Sequence, residues 1–170
     1  MKKNLILYGS NTGSTEKVAF EIERAFLRHG WHSDLKKLNA NYDILNPDFN
    51  FNDYDFVCIG SPVIWRLPLE QVVLVMRSRS REHRKIIPGP KRSLVFCTYA
   101  GIHLGPKEAG ATLKLLEIEI EHLGFQVVST LAIPGRYGNH PTPGWFHGDM
   151  RGRPSQQDMQ EVHSCIDAIL

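Results

Sequence analysis

The feature of this sequence that most constrains its fold is a regular alternation of short apolar runs with longer stretches of helical periodicity. Short runs that are apolar almost throughout are typical of strands buried on both faces, as in a parallel sheet. The predicted strands are Asn4–Tyr8, Trp31–Leu38, Phe56–Ile59, Ser93–Tyr99 and Phe125–Ile133. Because helical segments separate these strands, the pattern predicts an α/β fold with a three-layer, doubly wound, five-stranded parallel sheet. The second strand is the most polar and is expected at an edge.

Four helices are predicted, and proline, glycine or serine bounds each of them at one end. They are Val18–Phe26 before Gly30, Pro68–Met76, Pro106–Leu123 before Gly124, and Ser155–Leu170. Residues 39–53 are predicted to form a loop, with one additional helical turn as an alternative, and residues 134–154 are predicted to form a second loop. In open α/β sheets, ligands bind beyond the carboxyl ends of the strands. A functional site is therefore expected in the loops after the first, third, fourth and fifth strands.

Composition narrows the class of protein. With 170 residues, 42% of them apolar, the chain is expected to form a single domain, residues 1–170. A net charge of +2 is far below that of a dedicated nucleic-acid binder, and no stretch approaches the roughly 18 apolar residues of a membrane span. Cys58, Cys97 and Cys165 are widely spaced, which argues against a disulfide framework or a zinc site. We therefore expect a reduced, cytoplasmic protein.

A hydroxyl-rich turn lies between the first strand and the first helix. It consists of Ser10, Asn11, Thr12, Gly13, Ser14 and Thr15. Hydroxyls and backbone N–H groups at the positive end of a helix dipole suit a phosphate group. The spacings of the Walker A loop and of the G-x-G-x-x-G dinucleotide motif are both absent. Since Lys17 already belongs to the helix, the phosphate is expected to be held by neutral donors only, as suits a monoester on a bound cofactor. The alternative is an ordinary Ser/Thr-rich helix cap.

The turn resembles the FMN-phosphate loop of the flavodoxin family, whose pattern [ST]-x-T-G-x-T is filled by Ser10, Thr12, Gly13 and Thr15. The order of strands and helices resembles that family over essentially the whole chain. The resemblance implies a flavodoxin-like strand order, 2-1-3-4-5, and FMN as the cofactor.

A second stretch, from Asp55 to Trp65, is similar to the family's D-x-[apolar]-G-[ST]-P-x-[YW] motif. By this resemblance, Gly60 shapes a turn whose backbone approaches the flavin ring, and Trp65 stacks on the ring. The site residues implied here are Ser61, Pro62, Val63, Ile64 and Trp65. The alternative for Trp65 is a place in the core.

The loop after the fourth strand is implied, by the same resemblance, to bind the pyrimidine edge of the flavin with its backbone. The residues implied are Thr98, Tyr99, Ala100, Gly101, His103 and Gly105. Tyr99 or a neighbour is placed near the second face of the ring, unless Tyr99 simply completes the strand. The loop lacks the acidic residues that flavodoxins usually carry nearby.

The loop at 134–154 departs most from the family, because it is about twenty residues long where such connections usually take two to six. It leaves the fifth strand at the flavin end and can fold over the ring as a lid. His147, Arg136 or Arg151 is hypothesised to line a substrate or partner pocket there. His140, His147 and Asp149 lack the spacing that fixes a metal site, so no metal is expected.

The stretch Arg77–Arg92 holds seven basic residues and Glu82 as its single acid. It is predicted to be a solvated basic face at the end opposite the flavin loops, with docking of an acidic partner as the alternative. The sequence thus indicates an FMN-binding redox protein that exchanges electrons with a partner protein or a small-molecule acceptor. The second hypothesis is an FMN-dependent NAD(P)H:quinone-type oxidoreductase, with the 134–154 loop as its lid. An FMN-free binding module is disfavoured by the intact phosphate loop, and no side-chain catalyst is identified.

Overall fold

A central parallel sheet organises the molecule. The computed structural model describes residues 1–83, 91–137, 143–144 and 148–170. The strands of the sheet are β1 (Lys3–Gly9), β2 (His32–Leu38), β3 (Phe56–Pro62), β4 (Lys91–Tyr99) and β5 (Phe125–Pro134). They are all parallel and lie in the order β2-β1-β3-β4-β5. The predicted strand order and the edge position of the second strand are therefore confirmed.

Helices cover both faces of the sheet. They are α1 (Ser14–Arg28), α2 (Glu70–His83), α3 (Gly110–His122) and α4 (Gln156–Ile169). Successive side chains of a strand point to opposite faces, so β1 contributes Leu5 and Leu7 to one core and Ile6 and Tyr8 to the other. The first core packs against α2 and α3, and the second against α1 and α4. This is the predicted three-layer arrangement.

Several element boundaries differ from the predictions, and three differences bear on the loops of the expected site. β3 continues to Pro62, because its last residues still pair with β4 up to Thr98. The helix predicted from Pro106 begins instead as a 3-10 helix, Gly105–Ala109, before α3 starts at Gly110. The segment predicted as a loop at 134–154 contains a short antiparallel pair, β6 (Pro143–Gly144) and β7 (Gly148–Asp149), and a 3-10 turn, Met150–Gly152.

The start of α4 is fixed by a capping box. Ser155 Oγ accepts the backbone N–H of Asp158, and the Asp158 carboxylate accepts the N–H of Ser155, so the predicted N-cap is confirmed. Arg153 Nη1 also donates to Asp158 at 2.6 Å. Burial raises the pKa of Asp158, but the hydrogen bonds from Ser155 and Arg153 outweigh it and leave the pKa below its usual range. Asp158 therefore holds Arg153 in place as a charged group.

The basic stretch at 77–92 begins on α2 and reaches the amino end of β4, opposite the carboxyl ends of the strands. Several of its described members make specific contacts, so this part of the stretch is more than a solvated face. Arg77 binds the buried carboxylate of Glu119, Lys91 donates to the carbonyls of Asn52 and Tyr54, and Arg92 lies over the ring of Phe56. Arg84 and Lys85 lie outside the described residues. In the part of the chain that the structure describes, no helix has the length and apolar character needed to cross a membrane.

Candidate functional site

The turn after β1 places its hydroxyls at the amino end of α1. Gly13 caps the helix with φ of +84°, a conformation that glycine adopts without strain, and its carbonyl accepts the N–H of Lys17 at 3.0 Å. Ser10 Oγ accepts the N–H of Glu16 at 3.4 Å. Asn11 and Thr12 are exposed, whereas Ser14 and Thr15 are buried. The loop thus presents polar groups to solvent on one side and is anchored in the protein on the other.

Hydrogen bonds join the four loops that were predicted to form the site. Thr15 Oγ1 and Thr98 Oγ1 are 2.8 Å apart, and the Thr98 carbonyl accepts the N–H of Val63 at 2.8 Å. The N–H of Arg136 donates to Ser14 Oγ at 3.0 Å. The loops after β1, β3, β4 and β5 are therefore held together at the carboxyl ends of the strands.

A small cavity of about 150 Å³ opens beside the turn at 10–15. It is lined by Thr12, Ser14, Lys17, Arg136, Arg151 and Arg153. Cationic side chains therefore line this cavity beside the neutral donors that the turn was expected to provide. The turn itself has no cation, but α1 supplies one and the chain after β5 supplies three. A local pattern read along the turn could not show residues that arrive from more than a hundred positions away.

The net charge of this cavity is positive. Arg151 forms hydrogen bonds to both carboxylate oxygens of Asp149 and lowers the pKa of that carboxyl to about 2, so the pair is neutral at physiological pH. Arg153 is likewise paired with Asp158. The ion pairs of the described residues include neither Lys17 nor Arg136, whose guanidinium donates to the Thr12 carbonyl at 3.4 Å. Two cations that no described carboxylate compensates thus face the cavity, and an anion is the group that fits it.

A larger cavity of about 550 Å³ lies at the same end of the sheet. Its lining residues come from three segments of chain: Val63, Ile64, Trp65 and Arg66; Ala100, Ile102, His103, Leu104 and Glu108; and Tyr137. Trp65 is 90% exposed and Tyr137 is 55% exposed, so two aromatic side chains stand open to a ligand. Tyr137 was not predicted as a site residue. It follows Arg136, so adjacent residues line the large and the small cavity.

The turn that carries Trp65 is strained. Ile64 and Leu67 exchange backbone hydrogen bonds of 2.8 and 2.9 Å, and the two residues between them have φ of +51° at Trp65 and +70° at Arg66. Two-residue hairpin turns with positive φ at both positions strongly favour Asn-Gly, since larger side chains crowd the backbone. The protein therefore maintains an unfavourable conformation that leaves Trp65 exposed at the mouth of the large cavity.

Replacing Arg66 with glycine is expected to stabilise the fold by about 1 kcal/mol, because the strain at that residue is removed. For a chain of this length, the melting temperature should rise by roughly 2–4 °C. Thermal unfolding followed by circular dichroism measures the change. Arg66→Ala is the matched control, since it removes the side chain but keeps a Cβ at positive φ. Equal melting temperatures for the two variants would show that the positive φ at residue 66 does not strain the backbone.

Some residues that the sequence placed near the site also serve packing and turn geometry. A Cβ at Gly60 would lie 2.0 Å from Cζ of buried Phe96, so the lack of a side chain there is needed for packing of the core. Ser61 is buried, and its Oγ donates to the Pro62 carbonyl and accepts the N–H of Leu69. These residues shape the turn after β3 and leave the cavity wall to Val63, Ile64 and Trp65.

In the loop after β4, some of the predicted site residues serve packing and others line the large cavity. Tyr99 is the last residue of β4 and is 3% exposed, so its ring packs under the loop, as the alternative to a stacking role expects. A Cβ at Gly101, which has φ of +59°, would lie 2.8 Å from the Tyr99 ring and 2.9 Å from the backbone of Gly105. The N–H of Gly105 donates to the Gly101 carbonyl at 2.9 Å. The two glycines therefore close the loop, while Ala100 and His103 line the large cavity.

Of the residues predicted in the segment after β5, two line one of the cavities. Arg136 and Arg151 line the small cavity and are absent from the wall of the large one, where a pocket above the ring was hypothesised. His140 and His147 lie outside the described residues. Among the residues that are described, no group of three histidine, cysteine or acidic side chains could hold a metal ion.

Comparisons with known proteins agree with this architecture. No protein-family model and no curated protein matches the sequence. The chain is similar to a solved flavodoxin from the domain Archaea, with 16% identity and a TM-score of 0.65 over 98% of this chain and 95% of that one. It is similar to oxidised flavodoxin 1 from Bacillus cereus, with 14% identity and a TM-score of 0.68 over 98% and 95% of the two chains.

A third similar structure is a flavoprotein from Lactobacillus acidophilus NCFM, solved in complex with FMN. It shares 22% identity and a TM-score of 0.54 over 78% of this chain and 93% of that one. At sequence identities this low, the TM-scores show a common fold and no more. Together with the strand order and the two layers of helices, they show that this chain has the flavodoxin-like fold.

Proposed function

We propose that this protein binds FMN at the carboxyl ends of its parallel strands and acts as a redox protein that transfers electrons to or from a partner. The observation that carries the proposal is the pair of adjoining cavities. An apolar cavity with two exposed aromatic side chains lies next to a small cationic cavity at the amino end of α1. A ligand that fits both has a flat aromatic ring at one end and a phosphate at the other, as FMN does.

The residues divide between the two ends of the cofactor. The phosphate would be bound by the turn at 10–15, with Lys17 and Arg136 supplying charge. The ring would lie among Val63, Ile64 and Trp65 on one segment and Ala100, His103 and Tyr137 on the others. Thr98 and Thr15 support both ends through their shared hydrogen bond. The solved Lactobacillus acidophilus flavoprotein of the same fold was crystallised with FMN, which supports this choice.

Bound FMN supplies the chemistry, because its ring takes up or releases one or two electrons. The protein contributes binding, orientation and access. Trp65 is 90% exposed at the mouth of the cavity, so a partner can approach the edge of a ring that lies there. Exposure of this kind suits electron exchange with a redox partner protein or a small-molecule acceptor.

The second candidate is an FMN-dependent NAD(P)H:quinone-type oxidoreductase. His103 and Glu108 both line the large cavity, and both carry groups that transfer protons. Reduction of a quinone consumes two protons as well as two electrons, so such groups beside the ring favour this reaction. The central part of the hypothesised lid, residues 138–142 and 145–147, lies outside the described residues.

The purified full-length chain is expected to be yellow and to release FMN, identified by chromatography, when it is denatured. A colourless protein that fails to bind added FMN would contradict the proposal. Anaerobic reduction then separates the two candidates. A protein that accepts electrons from a one-electron donor, but is not reduced by NAD(P)H, acts as a carrier. Direct two-electron reduction by NAD(P)H, with turnover of a quinone, identifies the oxidoreductase.

A further inference from the structure

A third cavity adjoins the cationic one. It is a groove of about 440 Å³ between α1 and α4, and its lining includes Lys17, Phe20, Glu23, Pro154 and Met159. Lys17 lines both cavities, and Pro154 directly follows Arg153 of the cationic cavity. Lys17 therefore joins the cationic cavity to this groove, and the adjacent residues Arg136 and Tyr137 join the cationic cavity to the large aromatic one. FMN, as proposed above, would occupy the first two and leave the third open.

We propose that the site also accepts the flavin dinucleotide FAD, with its adenosine half in the groove between α1 and α4. This inference rests on the proposed function, because the flavin and its first phosphate would occupy the same places as those of FMN. The second phosphate would extend from the cationic cavity past Lys17. The sequence lacks the G-x-G-x-x-G motif of Rossmann-type dinucleotide sites, so this mode of binding relies on side-chain cations.

The charge and the position of the cations in the cationic cavity support the binding of a second phosphate. The four cations of the cavity come from α1, from the end of β5 and from the chain before α4, so they surround a region wider than the turn at 10–15. Arg153 is fixed by Asp158, whose side chain is 7% exposed. The described bond from Arg153 uses Nη1, and a guanidinium has four further N–H donors. Lys17 stands where the cationic cavity meets the groove.

The groove matches an adenosine in its chemistry. Phe20 is a large apolar side chain that is 44% exposed on the surface of α1. Met159 of α4 and Pro154, which precedes α4, line the same groove. Together they offer an apolar surface for the face of a purine. Glu23 offers a carboxylate to the ribose hydroxyls. Glu21, which also lines the groove, is already paired with Arg24 at 2.7 Å and with His163 at 3.1 Å, so its charge is offset.

The test is a fluorescence titration of the full-length chain, freed of flavin, with riboflavin, FMN and chromatographically pure FAD. We expect FAD to bind at least as tightly as FMN. Phe20→Ala should weaken FAD binding about tenfold, as the loss of one stacked base predicts, and should change FMN binding by less than about twofold. Leu27→Ala is the matched control, because Leu27 is 53% exposed on the same helix and does not line the groove.

The outcomes separate this inference from the proposed function. FAD binding at least tenfold weaker than FMN binding would overturn the inference and leave FMN as the ligand. The inference would equally be wrong if Phe20→Ala weakened FMN and FAD by the same factor, because Phe20 would then act through the fold. Failure of riboflavin, FMN and FAD alike to bind would overturn the proposed function, and the inference with it.

Discussion

The double variant Lys17→Gln, Arg136→Gln is expected to bind FMN about a hundredfold more weakly than the unmodified protein, while its affinity for riboflavin stays within about twofold. These are the two cations of the small cavity that no carboxylate among the described residues neutralises. A charged hydrogen-bond partner contributes about 1.5 kcal/mol or more, so each cation accounts for about a tenfold change in the dissociation constant. Fluorescence titration at low and high salt measures both affinities. The salt dependence of FMN binding should fall in the variant.

Two controls define the origin of this effect. Lys114 and Arg28 are exposed cations that line none of the cavities described above, and replacing both with glutamine should leave FMN affinity unchanged. Trp65→Ala should weaken FMN and riboflavin by the same factor, since Trp65 lines the cavity proposed for the ring and not the one proposed for the phosphate. An equal loss of FMN and riboflavin affinity in the Lys17, Arg136 variant would show that these cations do not face the phosphate.

The second large effect is expected in folding. Gly60→Ala should lower the free energy of unfolding by about 3 kcal/mol, at the upper end of what one added methyl group costs in a packed core. The new Cβ would lie 2.0 Å, 2.3 Å and 2.5 Å from three ring atoms of Phe96, which is fully buried. Neither the ring nor β3 can move away without disturbing the sheet. Urea denaturation should show a lower midpoint at an unchanged slope.

Gly110→Ala serves as the matched glycine control. No atom lies within 4 Å of a Cβ at Gly110, which is the first residue of α3 and has a helical φ of −56°. Alanine favours a helix over glycine, so this variant should be equally stable or more stable by about 0.5–1 kcal/mol. Equal midpoints for the Gly60 and Gly110 variants would mean that the space beside Gly60 is larger than the structure indicates.

The fold was predictable because its determinants are local. Strands buried on both faces produce nearly continuous apolar runs, and the helices between them leave a parallel sheet as the simplest arrangement. The position of Tyr99 could also have been inferred from strand periodicity. Tyr99 lies two residues after Cys97 on β4, and both belong to the same small buried cluster.

The parts of the site that were missed depend on contacts across the chain. Position 60 has room only for glycine because the ring of Phe96, 36 positions later, packs against it. Arg136 reaches the turn at Thr12 from 124 positions away. The turn at Trp65 and Arg66 lacks the glycine that normally marks two consecutive residues of positive φ. None of these relations has a signature in a short window of sequence.

The hydrogen bonds that join the four loops have a consequence for the speed of binding. These hydrogen bonds lie within the chain and form during folding; they join Thr15 to Thr98, Ser14 to Arg136 and Val63 to Thr98. The conformational entropy of the loops is therefore lost before a ligand arrives. The proposed cofactor would meet oriented donors and would need no slow rearrangement of these contacts, so its association should follow a single exponential whose rate rises linearly with concentration.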